Sequence, residues 1–158
     1  MRRAGHILGA ATVEVRAAGK TIVFSGDLGG YDTATMHDPE PVPGADVLVM
    51  ESTYGDRLHG TGDPEDEIAA VVCATAGRGG TILIPSFAVG RAQTLMFHLA
   101  HLKREGRIPD LPVFLDSPMA ENASDVFCKH LADHRLSAAE CHAACGVATY
   151  VRTPDQSR

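Results

Sequence analysis

The chain has 158 residues, enough for one domain with a real core. Its 44% apolar and 22% charged content is that of a globular protein, and no apolar stretch approaches the ~20 residues that span a bilayer. A net charge of −6 excludes a global attraction to nucleic acid, so any such contact must be local or helped by bound cations. The basic start, Met1-Arg2-Arg3, is followed by no apolar signal core, and the expectation is a cytoplasmic protein with no membrane partner. Four cysteines are too few to suggest a secreted disulfide framework and read as reduced thiols.

Residues 12–16 alternate apolar and polar side chains, the pattern of a half-exposed strand. Ala18-Gly19-Lys20 makes a tight connection into a second strand, Thr21-Ile22-Val23-Phe24, so the two form a hairpin. Residues 31–43 are rich in Asp, Pro, Thr and His and read as a loop. The continuous apolar run 46–50 predicts a strand buried on both faces. Asp63 as cap, Pro64 in the first turn and three acidic residues after it start a helix that runs to about Ala76. Gly77-Arg78-Gly79-Gly80 stops that helix, and residues 81–84 predict another buried strand. A long helix to about Glu105 repeats Leu95, Leu99 and Leu102 at helical spacing. A strand at 113–115, a helix from about Ala120 to Leu131, a short helix capped by Ser137 with Glu140 three residues on, and a last strand at 147–151 complete the chain. A hairpin followed by alternating strand and helix predicts an α/β fold with parallel pairing, and the change of pattern near 60–80 marks a domain boundary.

Three polar residues sit where chemistry is easy to place. His6 lies between Gly5 and the Ile7-Leu8-Gly9 run, where it can reach a cleft without crowding. Asp27 follows a buried strand in the turn Ser25-Gly26-Asp27-Leu28-Gly29, and a carboxylate has two oxygens with which to bridge two cations. Glu51 follows the next apolar run, on the rim of the sheet where α/β sites usually sit. Singly, each is equally an ordinary exposed histidine, a turn aspartate or a solvated charge. Ser86 and Arg91 lie at a helix N-terminus, which favours anions on backbone grounds. Two other patterns carry less. Gly19-Lys20-Thr21 has the tail of a phosphate-binding loop but sits in a hairpin, with Glu14 where the leading glycine belongs. Cys141 and Cys145 share a helix face, but without a second Cys/His pair nearby they read as buried thiols.

Order and spacing are more specific than the single residues. Gly5-His6, then Ser25-Gly26-Asp27, Glu51-Ser52-Thr53-Tyr54-Gly55-Asp56-Arg57, Ile84-Pro85-Ser86-Phe87-Ala88-Val89-Gly90-Arg91 and Leu115-Asp116-Ser117-Pro118 together resemble the β-CASP subgroup of the metallo-β-lactamase superfamily, two-metal nucleases of RNA processing. The resemblance implies part of a metallo-β-lactamase αββα sandwich over residues 1–78, the C-terminal part of that core. It implies the N-terminal part of a β-CASP α/β domain with a parallel sheet over 79–158. It makes His6 a ligand of one metal and Asp27 the bridge between two. It makes Glu51 the acidic group near the scissile phosphate, orienting an acid/base partner or the metal shell. It implies two Zn2+ per complete site, single-stranded RNA as substrate, and a homodimer for the full-length parent. Arg91 and Ser86 become candidate phosphate contacts. The family's His-x-His-x-Asp-His run does not occur in these 158 residues, nor do its two later histidines after a Gly-rich stretch. The expectation is a central slice of such an enzyme, which alone binds metal weakly and hydrolyses little; the alternative is a non-catalytic scaffold or interaction module.

Overall fold

The computed structural model describes residues 1–58 and 60–151, a mixed α/β chain that divides into two compact units. The first unit comprises Met1–Leu58 with His130–Leu136, and the second His59–Lys129 with Ser137–Arg158.

The first unit is built on a four-stranded sheet in the order β1-β2-β3-β4, with β1 at Arg2–Arg3, β2 at Ala11–Ala17, β3 at Lys20–Phe24 and β4 at Val47–Val49. The hairpin expected from the alternation is β2–β3, in antiparallel register Val13 to Phe24 and Val15 to Ile22. Its two-residue turn holds Ala18 at φ 50° and Gly19 at φ 72°, the pair of positive angles whose twist matches the flanking strands. β4 adds in parallel to β3, with Ile22 opposite Val47 and Phe24 opposite Val49. Asp46 fixes that register: its carboxylate accepts from the Thr21 N–H at 2.8 Å and from Lys20 Nζ at 2.9 Å. These contacts hold the Asp46 carboxyl below the usual carboxylate range, the Thr21 N–H contributing most. The returning segment is held by Arg135, whose N–H donates to the Thr35 carbonyl at 2.8 Å and whose guanidinium pairs with Asp38. Met36, Leu136 and His134 are buried there.

The second unit is mainly helical: α1 at Pro64–Gly77, α2 at Arg91–Arg104, α3 at Pro118–Lys129 and α4 at Ala138–Gly146, with a short parallel pair β5 (Phe114–Leu115) and β6 (Thr149–Tyr150). α1 starts as its sequence dictates, with the Asp63 carboxylate accepting from the Glu65 N–H at 2.8 Å and Pro64 in the first turn. α4 carries the expected reciprocal cap, Ser137 Oγ accepting from Glu140 N–H while Glu140 Oε2 accepts from Ser137 N–H. Val72 of α1, Leu99 and Leu102 of α2, and Ile108 form the core, with Ile68, Ile82, Leu111, Val113 and Val147 packed against it. Gln93 is buried and fully used: Oε1 accepts from Gly90 N–H at 2.7 Å, and Nε2 donates to Ser124 Oγ at 2.9 Å and to the Ala88 carbonyl at 3.1 Å.

Two expectations about strands fail. The run 46–50 does form β4, but Val47, Leu48, Val49 and Met50 are exposed, not buried on both faces. β4 is an edge strand paired only with β3, so continuous apolar character here marks surface that the described residues do not cover. Residues 81–84 form no strand; Leu83 is 88% exposed. A strand needs a ladder partner, and among the described residues none pairs with this run. Smaller differences are that α3 runs Pro118–Lys129 where about Ala120 to Leu131 is expected, that a 3-10 turn follows at Leu131–Asp133, and that β5 and β6 are two residues each.

Candidate functional site

The topology of the first unit brings three separated segments to one edge of its sheet. β3 and β4 run in parallel, so the turns after them, carrying Asp27 and Glu51, emerge at the same edge. β2 is antiparallel to β3, so the loop entering β2, which carries His6, emerges there too.

Backbone contacts then lock these segments together. The Gly29 N–H donates to the Ala4 carbonyl at 2.8 Å, and the two loops approach so closely that a Cβ on Gly29 would lie 1.9 Å from the Gly5 oxygen. Gly5 itself has φ 71°, and a Cβ there would lie 2.8 Å from both the His37 oxygen and the Pro39 nitrogen. Only glycine fits either position. The Ser25 N–H donates to the Val49 carbonyl at 2.9 Å, extending the β3–β4 ladder into the turns. Ser25 Oγ accepts from the Glu51 N–H at 3.1 Å, and Thr12 Oγ1 donates to the Ser25 carbonyl at 3.0 Å. Leu28 closes the arrangement, its N–H donating to Glu51 Oε1 at 2.5 Å.

The Glu51 carboxyl is held below the usual carboxylate range, first by the Leu28 N–H, then by a hydrogen bond from Thr53, and by the charge of His6, against a smaller opposing effect of burial. Glu51 is therefore an anion at neutral pH, an acceptor and not a proton donor. Asp27 lies between Gly26 (φ 60°) and Leu28, both fixed in place, and its side chain is exposed. His6 is likewise exposed on a fixed loop. The result is a rigid edge presenting one imidazole and two carboxylates, the donor types that suit zinc or manganese. The donor types fit a metal site, but the spacing does not close one: His6, Asp27 and Glu51 are not among the groups of described residues whose ligand atoms all lie within 4.8 Å of one another.

Ser86 and Arg91 belong to the second unit. Arg91 opens α2 and is exposed; Ser86 precedes it in the loop, with Oγ donating to the Phe87 carbonyl at 3.2 Å. The backbone anion site expected here is largely spent internally. The Gly90 N–H donates to Gln93, the Arg91 N–H to the Val89 carbonyl at 3.0 Å and the Ala92 N–H to the Phe87 carbonyl at 3.2 Å. An anion at this point would be met by the Arg91 guanidinium.

Reading the sequence singled out His6, Asp27 and Glu51 but not the residues that hold them. Ser25, Thr12 and Gly29 do so, and only the motif Ser25-Gly26-Asp27-Leu28-Gly29 itself hinted at the first and last. Nothing local pointed to Thr12.

An imidazole and two carboxylates on fixed turns of an α/β chain are donor types that a metal site uses. Comparison with known proteins narrows this. Residues 92–158 match the model of the Beta-Casp domain. The chain is 41% identical over 119 residues to Ribonuclease TTHA0252 of Thermus thermophilus, covering 75% of this chain and 27% of the relative. It is 31% identical over 132 residues to an RNase J-like protein of Methanocaldococcus jannaschii, covering 81% and 31%. It is 34% identical over 134 residues to Endoribonuclease YSH1 of Candida glabrata, covering 78% and 17%. The chain spans less than a third of the length of each. It belongs to the β-CASP subgroup of the metallo-β-lactamase superfamily. Among the described residues no helix is long and apolar enough to cross a membrane.

Proposed function

We propose that this chain is part of a metal-dependent ribonuclease that hydrolyses phosphodiester bonds of single-stranded RNA at a two-metal site. The observation that supports the reading is that the segments carrying His6, Asp27 and Glu51 are locked together at one end of the sheet. The names of the relatives, ribonuclease and endoribonuclease, support it, and membership of the subgroup implies metal dependence.

In this reading residues 1–78 carry the metallo-β-lactamase-type core and 79–158 the β-CASP segment. His6, through an imidazole nitrogen, and Asp27, through its carboxylate, would hold the metal ions. Zn2+ suits both donors. Bound divalent cations supply a water acidified towards pKa ~7 and positive charge for the phosphodiester oxygens. Glu51, anionic and anchored by the Leu28 N–H, orients whatever proton-bearing group or metal-bound shell lies beside it. Arg91, with Ser86 beside it, contributes a cation for the RNA backbone.

A zinc site takes three or four protein ligands, and the sheet edge of this chain supplies two, His6 and Asp27. The 158 residues alone therefore bind metal weakly at this edge and hydrolyse little. The test is cleavage of end-labelled single-stranded RNA by the protein that carries this chain, with and without chelator, beside the 158-residue chain. Cleavage abolished by chelation and restored by Zn2+ supports the reading. Cleavage indifferent to chelation, or none with metal present, contradicts it.

A further inference from the structure

The i,i+4 spacing of Cys141 and Cys145 places two thiols on one face of α4. The structure adds a third. Cys128, in the last turn of α3, packs against that face: Cys141 Sγ lies 2.7 Å from Cys128 Sγ, and all three sulfurs fall within 4.8 Å of one another. The three thiols are free, Cys141 is buried and the other two are half-buried. The side is closed by Ser124, whose carbonyl lies 3.9 Å from Cys145 Sγ, and by Tyr150 of β6, whose hydroxyl donates to the Cys145 carbonyl at 3.0 Å.

Burial pushes the Cys145 thiol up to about 12 and the Cys128 thiol up to about 11, with the Asp125 carboxylate adding to the second, and it raises Cys141 as well. Three soft donors converge on one point, the ligand type that suits a thiophilic metal ion. Sulfurs bonded to one zinc at ~2.3 Å in tetrahedral directions stand ~3.8 Å apart. To reach that spacing the Cys128–Cys141 pair must open by about 1 Å, a shift of the size a side-chain rotation provides.

We propose that Cys128, Cys141 and Cys145 form a binding site for a thiophilic d10 metal ion, Zn2+, joining α3 to α4 through three thiolates with the fourth position open to water or a further ligand. As each S–Zn bond forms, the thiol gives its proton to solvent. One Zn2+ thus replaces three protons, and the site passes from neutral to a single negative charge. No oxidant or reductant takes part. Binding weakens as pH falls, because protons compete for the same lone pairs. The site shares no residue with the sheet edge of His6, Asp27 and Glu51.

The experiment is titration of the reduced, metal-free protein with Co2+, reading the thiolate-to-cobalt charge-transfer absorption, followed by displacement with Zn2+. One Co2+ per chain is expected in that band, and Zn2+ abolishes it. Cys128→Ser and Cys145→Ser weaken this binding more than ~100-fold, beyond the effect of an outer-shell change. Cys73→Ser, His6→Ala and Asp27→Ala leave the band intact, which separates this site from the proposed nuclease centre. A second readout needs no variant: Zn2+ protects three of the four thiols of the wild-type protein from alkylation. Absence of the band in reduced, folded protein, its survival in a Cys128→Ser/Cys141→Ser double variant, or alkylation unaffected by Zn2+ would overturn the proposal.

Discussion

The two units place their polar groups in opposite ways. In the second, polar side chains inside the packing are consumed by it. Gln93 satisfies three neighbours, and the half-buried Glu65 carboxylate bonds His98 Nδ1 at 2.9 Å, His101 Nδ1 at 2.9 Å and Arg107 at 3.3 Å. In the first, the backbone is locked instead, through Gly29, Ser25 and Leu28, while Asp27 and His6 stay exposed. Spent hydrogen-bonding capacity builds structure; capacity left open on a rigid edge is available for chemistry. Changes at the exposed Asp27 and His6 should therefore cost activity and not stability, whereas changes in the helical unit should cost stability.

The largest expected effect breaks the lock. Gly29→Ala sets a Cβ 1.9 Å from the Gly5 oxygen, where the neighbouring atom is backbone and cannot give. A loss of about 3 kcal/mol or more is expected in urea unfolding of the first unit, with nuclease activity lost alongside. Leu102→Ala in the helical unit empties a fully buried position and costs about 2–5 kcal/mol by the same measurement. Ser25→Ala removes the hydroxyl that accepts from the Glu51 N–H and costs about 1 kcal/mol, with a disproportionate fall in activity as Glu51 loosens. Ser137→Ala, which removes one half of the α4 cap, costs about 1 kcal/mol and leaves activity unchanged.

The helical unit also has a pH signature. Burial raises the Glu65 carboxyl, but the hydrogen bonds from His98 and His101 and their charges outweigh it, and the net shift is downward. A carboxyl whose folded value lies below its unfolded one stabilises the fold above the unfolded value. It loses that contribution as pH falls through the folded one. Stability of the second unit is thus expected to decline on acidification below the ordinary glutamate range near 4.5, and Glu65→Gln should flatten that part of the profile. A profile that keeps its slope in Glu65→Gln would assign the decline elsewhere.

Much of this was legible in the chain. The hairpin followed from alternation and Ala18-Gly19, and the starts of α1 and α4 followed from Asp63-Pro64 and from Ser137 with Glu140, because caps and turns are local chemistry. The positions of Asp27 and Glu51 at one end of the sheet were legible, since each follows an apolar run that forms a strand; His6 follows none, and only the resemblance joined it to them. Burial was not. Residues 46–50 and 81–84 have the composition of core strands, yet composition records what a strand would bury and not what covers it. Nor was Cys128 legible as the neighbour of Cys141, because a separation of 13 residues becomes contact only when α3 folds back along α4. The spent N–H groups at α2 were hidden for a related reason: Gly90, Arg91 and Ala92 bond within a loop whose shape no local rule dictates.

The central claim is that Asp27 is a metal-bridging ligand of a nuclease site. Its most direct test is Asp27→Asn in the protein that carries this chain, with bound Zn2+ and single-stranded RNA cleavage measured on the same preparation. The substitution keeps the shape of the side chain but removes the negative charge proposed to bridge two cations. The account predicts a loss of zinc from the sheet edge and a fall in cleavage of more than ~100-fold, with the urea midpoint of the metal-free protein unmoved. Full cleavage and full zinc content in Asp27→Asn would contradict it.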